Sequence, residues 1–146
     1  MRGHTFTLVL VSPLSRALET CALVELGERA EVVDDLREWD YGEYEGRTTA
    51  DIREERPGWL LWRDGVPGGE AIEELGERAG RVIARVRDGD GAALIVAHGH
   101  LLRVLTAGWL GLAPADGRLF ALDPATISVL GWEREVAVIE HWNQPA

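Results

Sequence analysis

Two polar turns carry side chains that could bind a phosphate group. Arg16 lies in the turn Ser-Pro-Leu-Ser-Arg that follows the apolar run FTLVLV, and His98 directly follows a second apolar run, AALIVA. A guanidinium is a planar, permanently charged fork that suits an anion, and a histidine can donate a hydrogen bond to a phosphoryl oxygen. Gly99 lets the backbone approach a ligand closely. The two turns therefore indicate chemistry on a phosphorylated group.

A glutamate in the segment between these two turns could donate a proton during a reaction. Glu38 lies in the segment Leu-Arg-Glu-Trp-Asp-Tyr-Gly and could act as a general acid if burial raises its pKa. Taken alone, each residue also has an ordinary explanation. Arg16 could be a surface arginine paired with Glu19, His98 could cap a helix, and Glu38 could be one exposed glutamate among many.

A metal site is the alternative reading of the same region. His98 and His100, with Glu38 or Asp40, are residue types that bind zinc or manganese. Two histidines separated by one residue project to the same side only on an extended strand. Gly99 and a helix predicted from Leu101 favour a strand-to-helix turn, so the rings should diverge, and we expect no metal or other cofactor.

The elements that must position these residues follow from hydrophobic periodicity. Continuous apolar runs predict strands at 5–11 and 92–97, buried on both faces, with a weak strand at 31–33. Helical periodicity predicts helices after Ser12, at 70–87 and at 101–109, and the tail at 127–139 reads as a hairpin. Ser12 and Pro13 are expected to begin the first helix and Gly27 to end it. Thr48 and Asp51 form a capping-box signal for a short helix that ends before Pro57.

Strands separated by helices predict an α/β fold with a mainly parallel sheet sandwiched by helices. In such sheets, ligands bind beyond the carboxyl ends of the strands, close to helix N-termini. Ser12 and His98 both come directly after buried strands. We therefore expect both of them at the same edge of the sheet, where the positive ends of helix dipoles favour an anion.

The order and approximate spacing of the motifs resemble the histidine phosphatase superfamily, also called the phosphoglycerate mutase-like family. The motifs are Ser-Pro-Leu-x-Arg-Ala-x-x-Thr, Leu-x-Glu-x-x-Tyr-Gly with Glu-Gly, Pro-x-Gly-Glu, and an apolar run ending in His-Gly. The segments 38–46 and 67–70 look most like the bacterial small-molecule phosphatases of that family. The resemblance implies a metal-independent phosphomonoesterase that acts on a small phosphorylated metabolite, with a mutase as the second alternative.

The resemblance also implies roles for single residues. Arg16 matches a phosphate-binding arginine, Glu38 the proton donor to the leaving oxygen, and His98 the second histidine that holds the phosphoryl group, with the Gly99 amide nearby. Gly69-Glu70 matches a Gly-Glu-Ser motif in which Ala71 replaces the serine.

The family's first motif has no match in this sequence. That motif is an Arg-His-Gly tripeptide at the end of the first strand, and its histidine attacks phosphorus in the family. Arg2-Gly3-His4 has these residues in another order and before the strand 5–11, which would place His4 about 20 Å from the site. We therefore expect an N-terminally truncated domain that lacks the first βα unit and is weakly active or inactive. A non-catalytic phosphate-binding or interaction module is the alternative.

The missing strand also has a predicted consequence for the sheet. The resemblance places it between strands 5–11 and 92–97, so its loss would expose unpaired edges or force these neighbours together.

The composition of the chain indicates its number of domains, its excluded partners and its expected location. A chain of 146 residues suits a single domain, and a net charge of −10 argues against nucleic acid or an anionic membrane as partner. All 15 basic residues are arginine, and the one cysteine, Cys21, is expected to be buried. The sequence shows no signal peptide or membrane span, so a cytoplasmic location is expected. Homo-oligomerisation is left open.

Overall fold

A short parallel sheet carries both of the polar turns. In the computed structural model, which describes residues 5–145, β1 (Leu8–Val11) lies between β2 (Glu31–Val32) and β3 (Ala93–Val96). All three strands run parallel, and β1 and β3 pair in register from Leu8 opposite Ala93 to Val11 opposite Val96. The strands consist almost wholly of Leu, Ile, Val and Ala, which suits a sheet covered on both faces. The predicted α/β fold with a parallel sheet is confirmed.

The two long strands lie side by side, which is one of the two outcomes expected for a sheet without the family's first strand. Strands β1 and β3 pair directly along four residues. The backbone bonds continue beyond the strand ends, because the Thr7 N–H donates to the Ala92 carbonyl and the Ser12 N–H to the Val96 carbonyl. No gap therefore separates the two strands.

The first helix begins later than predicted. Helix α1 spans Ser15–Leu23, and its N-cap residue is Leu14, in extended conformation. Ser12 is not the cap: its hydroxyl accepts a bond from the Leu14 N–H at 3.3 Å and also contacts His98. The helix ends before Glu25, whose φ of 61° is left-handed, and thus ahead of the predicted stop at Gly27.

Three of the other helices lie close to their predicted positions. The helices after α1 are α2 (Thr49–Glu55), α3 (Leu61–Asp64), α4 (Ile72–Asp88) and α5 (Gly99–Trp109). The predicted capping box of α2 is present, with Thr48 Oγ1 accepting from the Asp51 N–H and the Asp51 carboxylate accepting from the Thr48 N–H. The four-residue helix α3 was not predicted, because one turn has no measurable periodicity.

A C-terminal hairpin packs against the helices beside the sheet. Strands β4 (Thr126–Glu133) and β5 (Val136–Pro145) form an antiparallel pair that is longer than predicted. The Arg87 guanidinium lies between two indoles, 4.7 Å from the ring centre of Trp109 and 5.0 Å from that of Trp132. The Trp109 indole N–H also donates to the Gly131 carbonyl at 3.3 Å. These contacts attach the hairpin to the end of α5.

The core lies between the sheet and helices α4 and α5. Its fully buried members include Leu10, Leu36, Trp39, Leu75 and Leu101. A smaller cluster on the opposite face of the sheet contains Val11, Ala17 and Cys21. Cys21 is buried as predicted, and this burial raises the pKa of its thiol. No helix within residues 5–145 has the length and apolar composition needed to span a membrane.

Truncation of Leu10 should test the importance of the central strand for folding. Leu10 is 0% exposed, so Leu10→Ala leaves a cavity in the core and should lower the free energy of unfolding by about 2–5 kcal/mol. Leu23 is 84% exposed, and Leu23→Ala should change it by no more than about 0.5 kcal/mol. Urea denaturation of both variants gives the comparison, and equal losses would contradict this assignment of the core.

Candidate phosphate-binding site

The carboxyl ends of β1 and β3 bring Ser12, Arg16 and His98 into contact. His98 Nε2 lies 2.7 Å from the Ser12 hydroxyl oxygen, and the Arg16 Nε–H donates to His98 Nδ1 at 3.1 Å. Ser12 is 0% exposed and His98 is 6% exposed, whereas the Arg16 side chain reaches the surface. The direct pairing of β1 with β3 therefore places the two sequence-predicted anion ligands side by side.

These contacts define the tautomer of His98. The Nε group of arginine can only donate, so His98 Nδ1 must be the acceptor and carries no proton. A neutral His98 then holds its proton on Nε2 and donates it to the Ser12 hydroxyl. Because that hydroxyl also accepts from the Leu14 N–H, its own proton is free to bond to a ligand. Ser12 was expected to cap a helix at the same edge of the sheet as His98, but sequence reasoning missed the direct contact between the two side chains.

Burial and charge keep His98 neutral. Burial lowers the pKa of His98, the adjacent Arg16 guanidinium lowers it further, and Glu38 opposes the shift. The unfolded chain binds this proton more readily. The neutral imidazole therefore contributes stability above the ordinary histidine pKa of about 6.5, and this contribution is lost as the pH falls below that value.

Glu38 occupies the N-terminus of α5. Its carboxylate oxygens accept the backbone N–H groups of His100 at 3.2 Å and Leu101 at 2.9 Å, as well as the N–H of its neighbour Trp39 at 2.9 Å. The first four N–H groups of a helix have no partner within the helix, and a carboxylate is well suited to bind them. Glu38 is thus fixed at the N-terminus of the helix whose N-cap residue is His98.

Several hydrogen-bond donors remain available at this edge. The Gly99 N–H belongs to the same helix N-terminus, and within residues 5–145 it has no hydrogen-bond acceptor. The terminal guanidinium nitrogens of Arg16 likewise have no protein acceptor in that part of the chain. Together with the Ser12 hydroxyl, these groups form a cluster of donors around His98. Such a cluster can bind a phosphate without a metal ion.

A buried arginine that sequence reasoning missed fixes the loop of Glu38. Arg78, on α4, forms a two-pronged ion pair with Glu70 at 2.6 and 2.9 Å. The same guanidinium donates to three backbone carbonyls of the loop, those of Asp35, Arg37 and Glu38, at 2.7, 2.6 and 3.1 Å. Its position among the polar residues of an amphipathic helix gave no signal that it would be buried.

His100 contacts a different set of groups from His98. Its Nδ1 lies 2.6 Å from the Tyr41 hydroxyl, and its ring packs against those of Trp39 and Trp62. Burial raises the pKa of Tyr41, as does the negative charge of Glu38, and burial lowers that of His100. The rings of Trp39, Tyr41, Trp62 and His100 thus form an aromatic cluster next to Glu38. Within residues 5–145, no group of three or more His, Cys, Asp or Glu side chains could hold a metal ion.

The remaining motif residues have structural partners. Asp40 accepts from the Gly42 N–H at 2.9 Å and Ala71 donates its N–H to the Glu74 carboxylate at 2.9 Å. Gly42 and Gly69 touch closely, since a Cβ on Gly42 would lie 2.4 Å from the Gly69 nitrogen. Arg2, Gly3 and His4 lie outside the described residues.

The sequence pattern of the histidine phosphatase superfamily (branch 1) matches residues 1–145. The chain belongs to this superfamily. It is 39% identical to an acid phosphatase of Mycobacterium tuberculosis over 143 residues, which are 94% of this chain and 70% of the relative. It is also 40% identical to a sedoheptulose 1,7-bisphosphatase of Saccharomyces cerevisiae, with 77% of this chain matched to 51% of that enzyme. The chain thus spans about half to two thirds of the length of these relatives.

Solved structures of the superfamily resemble the fold closely. The structure of a Mycobacterium tuberculosis open reading frame product aligns with a TM-score of 0.89 at 36% identity, over 94% of this chain and 72% of that chain. A mycobacterial glucosyl-3-phosphoglycerate phosphatase aligns with a TM-score of 0.78 at 30% identity, over 97% of this chain and 79% of that chain. The predicted resemblance to this superfamily is confirmed.

The contact between Arg16 and His98 predicts how the histidine titrates. Arg16→Ala removes the adjacent positive charge and should raise the pKa of His98 towards its ordinary value, whereas Glu38→Gln should lower it. Titration of the imidazole Cε1–H signal by NMR measures both shifts. Arg118→Ala removes an arginine that pairs with Asp116 instead and should leave the pKa of His98 unchanged. An unchanged value in Arg16→Ala would contradict the contact.

The buried bonds of Arg78, here called the Arg78 clamp, predict that its loss lowers the free energy of unfolding much more than loss of the neighbouring Arg81. Arg78→Leu leaves Glu70 unpaired at 15% side-chain exposure and should cost on the order of 3–5 kcal/mol in the free energy of unfolding. Arg81, also on α4, pairs with Asp35 while 60% exposed, so Arg81→Leu should cost at most about 1 kcal/mol. Chemical denaturation compares them. Similar costs would show that the Arg78 ion pair is not a buried clamp.

Proposed function

We propose that the chain is a histidine-phosphatase domain that binds the phosphoryl group of a small phosphorylated metabolite between Arg16, His98 and Gly99. Glu38 is the proton donor to the leaving oxygen. The site needs neither a metal nor another cofactor, and the protein works in the cytoplasm as one domain. Its relatives include enzymes named acid phosphatase and glucosyl-3-phosphoglycerate phosphatase, which supports a phosphomonoester as ligand.

The free donors around His98 are the observation that carries this proposal. The exposed guanidinium of Arg16, the Gly99 N–H and the Ser12 hydroxyl converge at the carboxyl edge of the sheet, and Glu38 is fixed beside them. A phosphate that accepts bonds from Arg16 and Gly99 sits against the His98 ring. Because the protein has a net charge of −10, attraction for the anion must come from these local donors rather than from the overall field.

Turnover is proposed to be weak or absent. In relatives with the full motif set, a histidine nitrogen forms a bond to phosphorus while the bond to the leaving oxygen breaks. Glu38 would give the leaving oxygen its proton, and water would then hydrolyse the phosphohistidine. His98 cannot take the nucleophile's part in the described geometry, since its Nδ1 faces Arg16 and its Nε2 carries a proton. Loss of a nucleophile costs several orders of magnitude in rate.

A non-catalytic phosphate-binding or interaction module is the second candidate. It is favoured by the same contacts, because Arg16, His98 and Ser12 hold one another in place by hydrogen bonds that require no nucleophile. The two candidates agree on phosphate binding and differ only in turnover. Phosphate binding and p-nitrophenyl phosphate hydrolysis therefore have to be measured separately.

Calorimetry with inorganic phosphate should detect binding that depends on Arg16. Arg16→Ala removes charge-assisted hydrogen bonds and should weaken phosphate binding by at least about tenfold. Arg37, an exposed arginine paired with Asp34, provides the control, and Arg37→Ala should bind phosphate as the parent does. Absence of binding in the parent protein would refute the proposed function. Rapid hydrolysis of p-nitrophenyl phosphate that is lost in His98→Ala would refute the proposed lack of turnover.

A further inference from the structure

Arg103 is a partly buried arginine without a carboxylate to balance its charge. It lies on α5, and within residues 5–145 every other arginine that lacks a carboxylate partner is exposed. Burial lowers the pKa of its guanidinium, and the nearby Tyr41 and Glu38 oppose this shift. A charge that is removed from water is costly unless an anion pairs with it. Arg103 is therefore a candidate to bind an anionic group that comes from outside the chain.

The protein uses only part of the Arg103 guanidinium. Its Nε–H donates to the Gly117 carbonyl at 3.1 Å, and Nη2 donates to the Arg118 carbonyl at 3.2 Å. Nη1 has no acceptor within residues 5–145, where no inaccessible side-chain nitrogen or oxygen lacks a hydrogen-bond partner. Nη1 is therefore accessible to a ligand. The two carbonyls and the Trp62 ring, whose centre lies 4.7 Å away, order this donor before a ligand binds, which reduces the entropy lost on binding.

His100 offers a second accessible donor close to Arg103. Its Nδ1 contacts the Tyr41 hydroxyl at 2.6 Å, whereas its Nε2 has no partner within residues 5–145 and is accessible for the same reason as Nη1 of Arg103. With the Tyr41 hydroxyl as donor to Nδ1, the neutral imidazole carries its proton on Nε2 and can donate it to a ligand. Trp62 contacts both the His100 ring and the Arg103 guanidinium, so the two donors belong to one cluster.

This cluster lies on the same face of α5 as the proposed phosphate site. Residues three and four apart in a helix are neighbours on its surface, and helical side chains lean towards the N-terminus. Arg103 therefore extends towards Gly99 and His100. The Gly99 N–H and Arg103 are one helical turn apart, about 5 Å along the helix axis, and Glu38 is bound at the same helix N-terminus.

We propose that Arg103 and His100 form a second anion site, and that the ligand of this protein carries two anionic groups. One is the phosphoryl group in the proposed phosphate site. The other is a phosphate or carboxylate several atoms away, on the part of the ligand that Glu38 would protonate. The inference rests on the proposed function and narrows its substrate class from any small phosphomonoester to one with a second anionic group.

Calorimetry with paired ligands tests the second anion site without requiring turnover. Propanediol, butanediol and hexanediol bisphosphates carry two phosphates at increasing separations, and the corresponding diol monophosphates lack only the second phosphate. At least one bisphosphate should bind about tenfold or more tightly than its monophosphate, because the second phosphate adds a charge-assisted hydrogen bond. A gain in every pair no larger than the statistical gain from two equivalent ends would overturn the proposal.

Arg103→Met separates anion binding from the contacts that Arg103 makes within the fold. Methionine keeps apolar contact with Trp62 but cannot donate to an anion. The variant should bind the preferred bisphosphate about tenfold or more weakly than the parent does, while the affinity for the monophosphate falls much less. Equal weakening of both ligands would show that Arg103 only supports the fold, and would overturn the proposal.

Two further variants complete this comparison. Arg118→Ala removes a neighbouring guanidinium that pairs with Asp116 but keeps the carbonyl that Arg103 binds, so both affinities should match those of the parent. His100→Ala removes the second donor and should also weaken the bisphosphate more than the monophosphate, which keeps the test available if Arg103→Met does not fold. Equal effects on the two ligands in His100→Ala would remove His100 from the site and overturn the proposal as stated.

The choice of ligands separates this inference from the proposed function. Hydroxybutyrate phosphorylated on its hydroxyl carries a carboxylate in place of the second phosphate, and a preference for it over butanediol monophosphate would equally support the second anion site. If neither inorganic phosphate nor any of these ligands binds, the proposed function and this inference both fail. If phosphate and the monophosphates bind and a second anionic group adds nothing, only the second anion site fails.

Discussion

The parallel hydrogen bonds between β1 and β3 determine where the groups of the candidate site lie. They bring Ser12 and His98 to the same level, so that the two side chains touch at 2.7 Å. From there, α1 carries Arg16 back to His98, and the N-terminus of α5 holds Glu38. A shift of one residue between the two strands would separate Ser12 and Arg16 from His98, since these contacts depend on where each strand stops.

The general position of the site could be predicted from the sequence because it depends on local patterns. Apolar strands that end in polar turns indicate the carboxyl edge, and the family motifs assign Arg16, Glu38 and His98 to it. Tertiary contacts were beyond such reasoning. Arg78 looks like an ordinary polar helix residue until four acceptors surround it. Ser12 looks like a cap because the sequence does not show that Leu14 is extended and takes the N-cap position. Strand order is also non-local, so the sequence could not decide between exposed edges and direct pairing of β1 with β3.

The free protein and a bound phosphate would favour different protonation states of His98. The imidazole is held neutral by burial and by Arg16, whereas an incoming phosphate would favour its protonated form. Binding of the anion therefore has to draw the guanidinium away from Nδ1 before His98 can use that nitrogen as a second donor. The free protein keeps the arginine ordered and its outer nitrogens exposed, which reduces the entropy lost when the anion binds.

The bonds of Arg78 make the position of Glu38 independent of the side chains around it. The guanidinium binds the carbonyls of residues 35, 37 and 38, which every amino acid possesses, and within residues 5–145 its one side-chain partner is Glu70. Substitutions at positions 35 and 37 can therefore alter the outer surface of this loop without displacing Glu38. Proteins built on this arrangement can diverge on that surface while the carboxylate at the N-terminus of α5 stays in place.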